Sequence, residues 1–128
     1  MITIYYNQSN RHLHELKDWC GQHQISYQSK RINDDNLSYQ EFLQILAFTK
    51  GGITDIIPTN KLRSLIANDQ LTLYDLYRLV LEKPTLTKNL ISVDFHRQKL
   101  CVGFNSDRIR IFITKAERQA FIEQALAN

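Results

Sequence analysis

The residues best suited to chemistry in this chain are two cysteines, four histidines and a polar turn near the N-terminus. The turn, Ser9–His14, joins a short apolar stretch to an amphipathic one. In many small proteins, such a strand-to-helix junction holds a catalytic or redox cysteine. Backbone N–H groups and the helix dipole stabilise a thiolate at that place. This turn has the frame of a thiol site but contains no cysteine.

The two cysteines, Cys20 and Cys101, share no short-spaced motif. Cys20 falls on the apolar face of a predicted helix, and Cys101 lies within a predicted strand. Both are therefore expected to be small buried side chains with reduced thiols. A disulfide between them would need Cα atoms within about 7 Å, a separation that the sequence does not determine.

Neither the histidines nor the carboxylates form a pattern that predicts catalysis. His12 and His14 are two residues apart, and on a helix such residues point to different sides. They are expected to be solvent-facing, and no metal site is predicted. Asp34, Asp35 and Asp94 are typical turn-forming residues, and no carboxylate pair suggests acid–base chemistry.

The composition is that of an ordinary globular domain. The chain has 128 residues, of which 43% are hydrophobic and 23% charged, and this balance argues against disorder. The net charge of +3 does not by itself imply nucleic-acid binding. No apolar run is long enough to cross a bilayer, and the N-terminus does not resemble a signal peptide. The expected location is the cytosol.

The first part of the chain reads as β-α-β. Ile2–Tyr6 is rich in β-branched and aromatic residues and predicts a strand. Ser9 or Asn10 can cap a helix over residues 11–22, and Ile25–Ile32 predicts a second strand. This spacing is typical of a parallel crossover unit.

The middle of the chain is predicted to be helical. The capping boxes Ser38–Glu41 and Thr72–Asp75 each precede an apolar stretch. Pro58 suits the start of a short helix between them. Gly51 and Gly52 are expected to end the first of these helices, because glycine readily takes a left-handed conformation.

The last part predicts a hairpin and a helix. Leu90–Val93 and Lys99–Val102 are predicted strands joined by a polar turn, and Thr114 opens a final helix. The predicted fold class is α/β, with a thioredoxin-like mixed four-stranded sheet and a helical insertion. We expect a single domain over residues 1–128, with its core at about 1–33 and 88–128 and its insertion at about 34–87.

Four stretches resemble the Spx family of transcription regulators, relatives of the glutaredoxin-linked arsenate reductases. They are ITIYYNQSN, GGITDII, LTLYDLYRLVLEKPTL and VGFNSDRIRIFI. They keep the family's order and nearly its spacing, from Ile2 to about Ile113. LYDLYRLVLEKP followed by VGFN is the most specific pair. Residues 59–71 look shorter than the family's counterpart.

The chain departs from this family at the thiol site. Spx proteins and arsenate reductases place a cysteine where this chain has Asn10, and redox-switched Spx proteins have a second one at the position of Leu13. The family's arginine–proline pair before the third strand is replaced by Asn89 and Leu90. The oxyanion-binding guanidinium is thereby lost. The resemblance therefore implies a protein without the redox switch, without a cofactor and without enzyme activity.

The resemblance also implies a partner. Spx proteins bind the C-terminal domain of the RNA polymerase α subunit and alter promoter use in stress responses, with little DNA affinity alone. Gly52 matches the glycine central to that contact, and Thr49, Lys50 and Gly51 lie beside it. The local alternative is that Gly52 merely terminates a helix, and both roles can hold at once, with Gly51 as the cap and Gly52 as the contact.

Two basic residues are candidates for a position close to DNA. Lys61 and Arg63 lie near positions where the family carries basic residues thought to approach promoter DNA, although Asn60 replaces an arginine there. A solvated helix face explains them equally well.

One alternative function is a diverged arsenate reductase-like enzyme using Cys20 or Cys101, which requires an exposed, acidic thiol. The other is an interaction module with a different partner, such as a protease adaptor.

Overall fold

The computed structural model describes residues 1–66, 71–113 and 115–127. In chain order, the strands and α-helices are β1 (Ile2–Tyr6), α1 (Arg11–Gln22), β2 (Tyr27–Arg31), α2 (Tyr39–Phe48), α3 (Thr59–Ile66), α4 (Leu73–Glu82), β3 (Ile91–Asp94), β4 (Lys99–Val102) and α5 (Lys115–Ala127). Short 3-10 helices lie at Gly52–Asp55, Pro84–Leu86 and Arg108–Phe112. Within the described ranges, every helix is too short or too polar to traverse a bilayer.

The four strands form one mixed sheet in the order β2-β1-β3-β4. β1 and β2 are parallel, with Ile2 opposite Tyr27, and α1 provides the crossover between them. β3 runs antiparallel to both β1 and β4. The predicted thioredoxin-like sheet with a helical insertion between β2 and β3 is confirmed.

Apolar side chains form two clusters, one on each face of the sheet. Because strand side chains alternate between faces, Ile4 belongs to the cluster with α1, and Tyr5 belongs to the cluster with α2 and α4. The α1-side cluster contains Ile2, Ile4, Leu13, Leu16, Cys20, Leu90, Cys101, Ile109 and Phe112. The opposite cluster includes Tyr5, Phe42, Ile45, Ile57, Val80, Ile91 and Val93. The sheet is thus covered on both sides.

The predicted helix starts are confirmed by their hydrogen bonds. Ser38 Oγ accepts from the Glu41 N–H at 3.1 Å, and Glu41 Oε1 accepts from the Ser38 N–H at 2.9 Å. Thr72 and Asp75 exchange the same two bonds, both 3.1 Å long. Asn10, rather than Ser9, caps α1, because its Oδ1 accepts from the Leu13 N–H at 3.2 Å.

Both predicted boundaries of β2 and both of β3 need correction, and β2 ends at Arg31 rather than Ile32. β2 begins at Tyr27 because the Ile25 N–H is donated to the Cys20 carbonyl and so belongs to the turn after α1. β3 begins at Ile91 because Leu90 has a φ of +61°. Asp94 is the buried last residue of β3 rather than a turn residue, and its carboxylate pairs with Arg97.

Parts of the predictions fall outside the described residues. Thr114, the expected start of the last helix, is one of these positions, and four residues of the 59–71 stretch are others. The described helix α5 contacts His23, the residue that follows α1, with 2.7 Å between His23 Nδ1 and Glu117 Oε1.

Candidate functional site: the turn after the second helix

The turn Thr49–Gly52 leaves the C-terminal end of α2. Thr49 is the C-cap residue, and its backbone N–H donates to the Leu46 carbonyl at 3.2 Å. The Thr49 hydroxyl donates to the same carbonyl at 2.6 Å. These bonds satisfy a carbonyl that the end of a helix leaves without an intrahelical partner. α2 therefore ends at Phe48, three residues before the first glycine.

Gly51 lies against the side chain of Asp55, which a larger residue at position 51 would have to displace. Its N–H donates to Asp55 Oδ2 at 2.8 Å, which brings the carboxylate against the Gly51 backbone. A Cβ at position 51 would lie 2.5 Å from Asp55 Oδ1, closer than real Cβ contacts. Asp55 thus fastens the 3-10 helix Gly52–Asp55 to the turn.

Gly52 is favoured by its backbone conformation. Its φ is +77°, in the region that favours glycine. Apart from its chain neighbours, no heavy atom lies within 4 Å of the position that a Cβ would occupy, and the residue is exposed. The turn therefore presents bare backbone to solvent.

The expected division of roles between the two glycines is corrected in part. Gly51 was the expected helix cap, but its φ is −100°, and α2 has already ended at Phe48. The left-handed residue is Gly52, which begins the following 3-10 helix rather than ending α2. Gly52 therefore has a local conformational role of its own, whether or not a partner contacts it.

The structure separates the two candidate DNA-proximal residues. Lys61 is half-buried, and its Nζ donates to the Thr85 carbonyl in the turn after α4. Arg63 is exposed, as is Asn60 at the start of α3. Residues two apart on a helix face different sides, so Lys61 and Arg63 do not form one basic face.

Amide side chains form hydrogen bonds at the junction between β1 and α1, which has the position of a thiol site but no cysteine. Asn89 Oδ1 accepts from the backbone N–H groups of Asn7 and Gln8 at 2.8 and 3.1 Å. Asn89 Nδ2 donates to the Gln8 carbonyl at 3.0 Å. These backbone donors are therefore already used. Leu13 is buried in the α1-side cluster, as expected for a core residue.

Asn7 extends this network to the chain before β3. Its Nδ2 donates to the carbonyls of Pro84 and Thr87 at 3.1 and 3.0 Å. We call the contacts made by Asn7, Gln8 and Asn89 the asparagine clamp. No local sequence pattern predicts the clamp, because its partners are about eighty residues apart. The contact between Asp55 and Gly51 was not predicted either, although the two residues are only four apart and a carboxylate at that spacing can accept from the turn.

Both cysteines are buried and unpaired, as predicted. Burial raises the pKa of the Cys20 thiol to about 11. Burial also raises the pKa of the Cys101 thiol, although the nearby Arg108 charge opposes the effect. A thiol with a raised pKa carries little thiolate at neutral pH and is a poor nucleophile.

The two histidines of the first turn region lie on the surface. His12 and His14 are exposed, and His12 Nδ1 lies 3.5 Å from Glu15 Oε2. Within residues 1–66, 71–113 and 115–127, no three His, Cys, Asp or Glu side chains are grouped so that they could hold a metal ion.

Comparison with solved structures supports the fold. A solution structure from Staphylococcus aureus COL superposes with a TM-score of 0.66 at 20% identity, covering 86% of this chain and 96% of that chain. A putative ArsC family related protein from Bacteroides fragilis gives 0.64 at 16% identity, covering 87% and 96%. At identities this low, the likeness establishes the fold alone.

Sequence comparison with curated proteins establishes the family, although no protein-family model matches the chain. The global transcriptional regulator Spx of Bacillus subtilis strain 168 is 34% identical over 133 aligned residues, covering 100% of both chains. Spx of Enterococcus faecalis V583 is also 34% identical, covering 98% of this chain and 96% of the relative. Spx of Streptococcus agalactiae 2603 V/R is 31% identical, covering 98% and 92%. The chain therefore belongs to the Spx family of global transcriptional regulators.

Proposed function

We propose that this regulator acts by binding the C-terminal domain of the RNA polymerase α subunit through the turn Thr49–Gly52. The observation that carries the proposal is the exposed backbone at Gly52, where no side chain stands between the main chain and an approaching surface. In this role the protein is an adaptor that works in the cytoplasm and alters promoter use. Lys61 and Arg63 would contribute at most weak contacts to promoter DNA.

The exposed face of α2 extends this surface. Leu43 and Ala47 are both exposed and lie four residues apart, on the same side of the helix. Lys50 and Gly51 continue the exposed run into the turn. A partner on Gly52 can therefore also cover an apolar strip of α2, which adds favourable burial to the backbone contact.

In this proposal the protein acts by binding a partner and does not use a cysteine as a catalytic thiol. A diverged reductase would need an exposed cysteine with a lowered pKa. Both cysteines are buried, and burial raises the pKa of each. At the junction, an asparagine stands at position 89 in place of an oxyanion-binding arginine, and its Oδ1 accepts from the N–H groups of Asn7 and Gln8.

Gly52→Arg tests the proposal directly. A long charged side chain at an exposed turn should clash with the partner or hold the surfaces apart. We expect the folded variant to bind the purified α C-terminal domain at least about tenfold more weakly, measured by calorimetry. Circular dichroism should show an unchanged fold, because the space around position 52 is open.

Gly52→Ala is the matched control. Alanine carries nearly the whole backbone cost of a positive φ, about 1 kcal/mol of stability, but adds little bulk. We expect alanine to weaken binding only modestly. Equal losses in both variants would instead assign the effect to distortion of the turn. Full binding by a folded Gly52→Arg protein, or no binding by the unmodified protein, would refute the proposal.

A further inference from the structure

A groove runs along the outer edge of β4. It begins beside the turn after α2 and is bordered on the other side by the 3-10 helix Arg108–Phe112. Its volume is about 750 Å³. Apolar side chains from both borders and from the strand reach it, among them Phe48, Leu100 and Ile111. We call it the β4 groove.

The floor of the β4 groove is the edge of the sheet. β4 pairs with β3 on one side, and no described strand pairs with its other side. The Gly103 N–H donates to the Leu90 carbonyl at 2.7 Å, so it points toward β3. Because peptide groups alternate in direction along an antiparallel strand, those of Leu100 and Val102 point outward. They are a ready template for another strand.

The groove is also strongly basic. Its lining includes four cationic residues, Lys50, Lys88, Lys99 and Arg108. No ion pair involves any of them within the described part of the chain. The single acidic residue among the described lining is Asp55, whose carboxylate already accepts from the Gly51 N–H.

We propose that the β4 groove binds an extended, acidic segment of a partner protein, which pairs with β4 as a fifth strand. The outward peptide groups supply main-chain hydrogen bonds, and the apolar residues supply pockets for alternate side chains. The cations supply charge complementarity to glutamate or aspartate side chains. This inference goes beyond the proposed function, since it holds for any partner that carries such a segment.

Charge and chemistry exclude other occupants. A second copy of this chain, paired edge to edge through β4, would bring two sets of like charges together. Such pairing is opposed by the same lysines that protect natural sheet edges. Nucleic acid would use the cations but would leave the apolar residues and the outward peptide groups without partners.

The first test uses a peptide of about eight residues, a common strand length, that alternates glutamate with valine and carries fluorescein. We expect anisotropy to show binding to the full chain. Replacing every glutamate with lysine should abolish it. N-methylation of alternate backbone nitrogens should abolish it in one of the two possible patterns, because only one set of N–H groups faces β4.

The protein variants assign binding to the groove. Lys88→Glu with Arg108→Glu should weaken peptide binding at least about tenfold. Lys17→Glu, on α1 and outside the groove, should leave it unchanged. On peptide binding, amide hydrogen exchange at Leu100 and Val102 should slow at least about tenfold. If the double variant does not fold, Lys50→Glu at the exposed turn replaces it.

Several results would overturn the proposal. They are failure of the acidic peptide to bind, equal binding by both N-methylated peptides, and unchanged exchange at Leu100 and Val102. Competition by duplex DNA that is lost in the charge-reversal variants would assign the groove to nucleic acid instead. If Gly52→Arg loses binding to the α C-terminal domain but still binds the peptide, the turn Thr49–Gly52 and the β4 groove are distinct surfaces.

Discussion

At the scale of single residues, the adjacent glycines 51 and 52 are needed for different physical reasons. Gly51 has an ordinary φ, but a Cβ there would have to displace the Asp55 carboxylate. Gly52 has ample room but a positive φ. Gln24, Leu90 and Gln98 also have positive φ, so the conformation at Gly52 is costly for other residues rather than forbidden.

A double-mutant cycle should separate the clash at Gly51 from the hydrogen bond. Gly51→Ala should lower the free energy of unfolding by about 1 kcal/mol, because its Cβ displaces the Asp55 carboxylate and breaks its exposed hydrogen bond. Asp55→Ala should cost about 1 kcal/mol through the lost bond alone. The double variant should lose less than the sum, because alanine at position 55 removes the clash. Additive losses in urea titrations would contradict this account.

The buried thiols should be unreactive in the native protein. With a pKa of about 11, only about one Cys20 thiol in ten thousand is ionised at pH 7. We expect an aromatic disulfide reagent to react slowly with the native protein and to titrate both thiols rapidly in urea.

Mild oxidation should accordingly leave the affinity for the α C-terminal domain unchanged within about tenfold. The control is Cys20→Ser with Cys101→Ser, which should bind equally well before and after diamide treatment. Rapid reaction of one native thiol, or a larger affinity change that the double variant lacks, would reveal a redox role.

At the scale of secondary-structure elements, features set by neighbouring residues were predictable from the sequence, and features set by distant residues were not. The helix starts at Ser38 and Thr72 were predictable because a capping box is an interaction between residues three apart. The start of β3 was misplaced by one residue because nothing near Leu90 indicates its positive φ. The asparagine clamp could not be predicted from the sequence, because it joins Asn7, at the end of β1, to a segment about eighty residues later. Only the assembled sheet brings these groups together.

The asparagine clamp should stabilise the junction between β1 and α1. Asn89→Ala leaves the N–H groups of Asn7 and Gln8 without their acceptor, so we expect a loss of about 1–3 kcal/mol in the free energy of unfolding. Asn89→Asp keeps an acceptor oxygen and should lose less. Amide exchange at Asn7 and Gln8 should accelerate in the alanine variant. Unchanged exchange there would show that the clamp contributes little.

At the scale of the whole molecule, polar side chains join elements that are separated in sequence. Tyr5 on β1 donates to Glu41 Oε2 on α2 at 2.7 Å. Asp94 at the end of β3 pairs with Arg97, whose guanidinium also donates to the Phe112 carbonyl at 2.9 Å. These links tie the sheet to a helix on one side and to the last 3-10 helix on the other.

The pairing of Asp94 predicts how stability depends on pH. Burial acts to raise the pKa of this carboxyl group, but the hydrogen bonds and charge of Arg97 outweigh burial and lower it. A carboxyl group whose pKa falls on folding stabilises the fold above its unfolded pKa. That contribution is lost as the pH falls through the folded pKa. We therefore expect part of the stability to disappear below about pH 4.

Asp94→Asn tests this dependence. The variant should be less stable than the unmodified protein at pH 7, and its free energy of unfolding should fall less steeply between about pH 5 and pH 3. Asp18→Asn, at an exposed position on α1, is the control and should keep the original pH profile. Identical profiles for the Asp94 variant and the unmodified protein would show that Asp94 is not responsible.

The conformation of Gly52 also has a consequence for how natural variation at this position is interpreted. Every amino acid reachable from a glycine codon by one base change carries a Cβ, so each would incur the cost of a positive φ. Selection for a stable fold alone would therefore disfavour such alleles here, even in a lineage that had lost the partner. The persistence of glycine across a population is thus no record of binding.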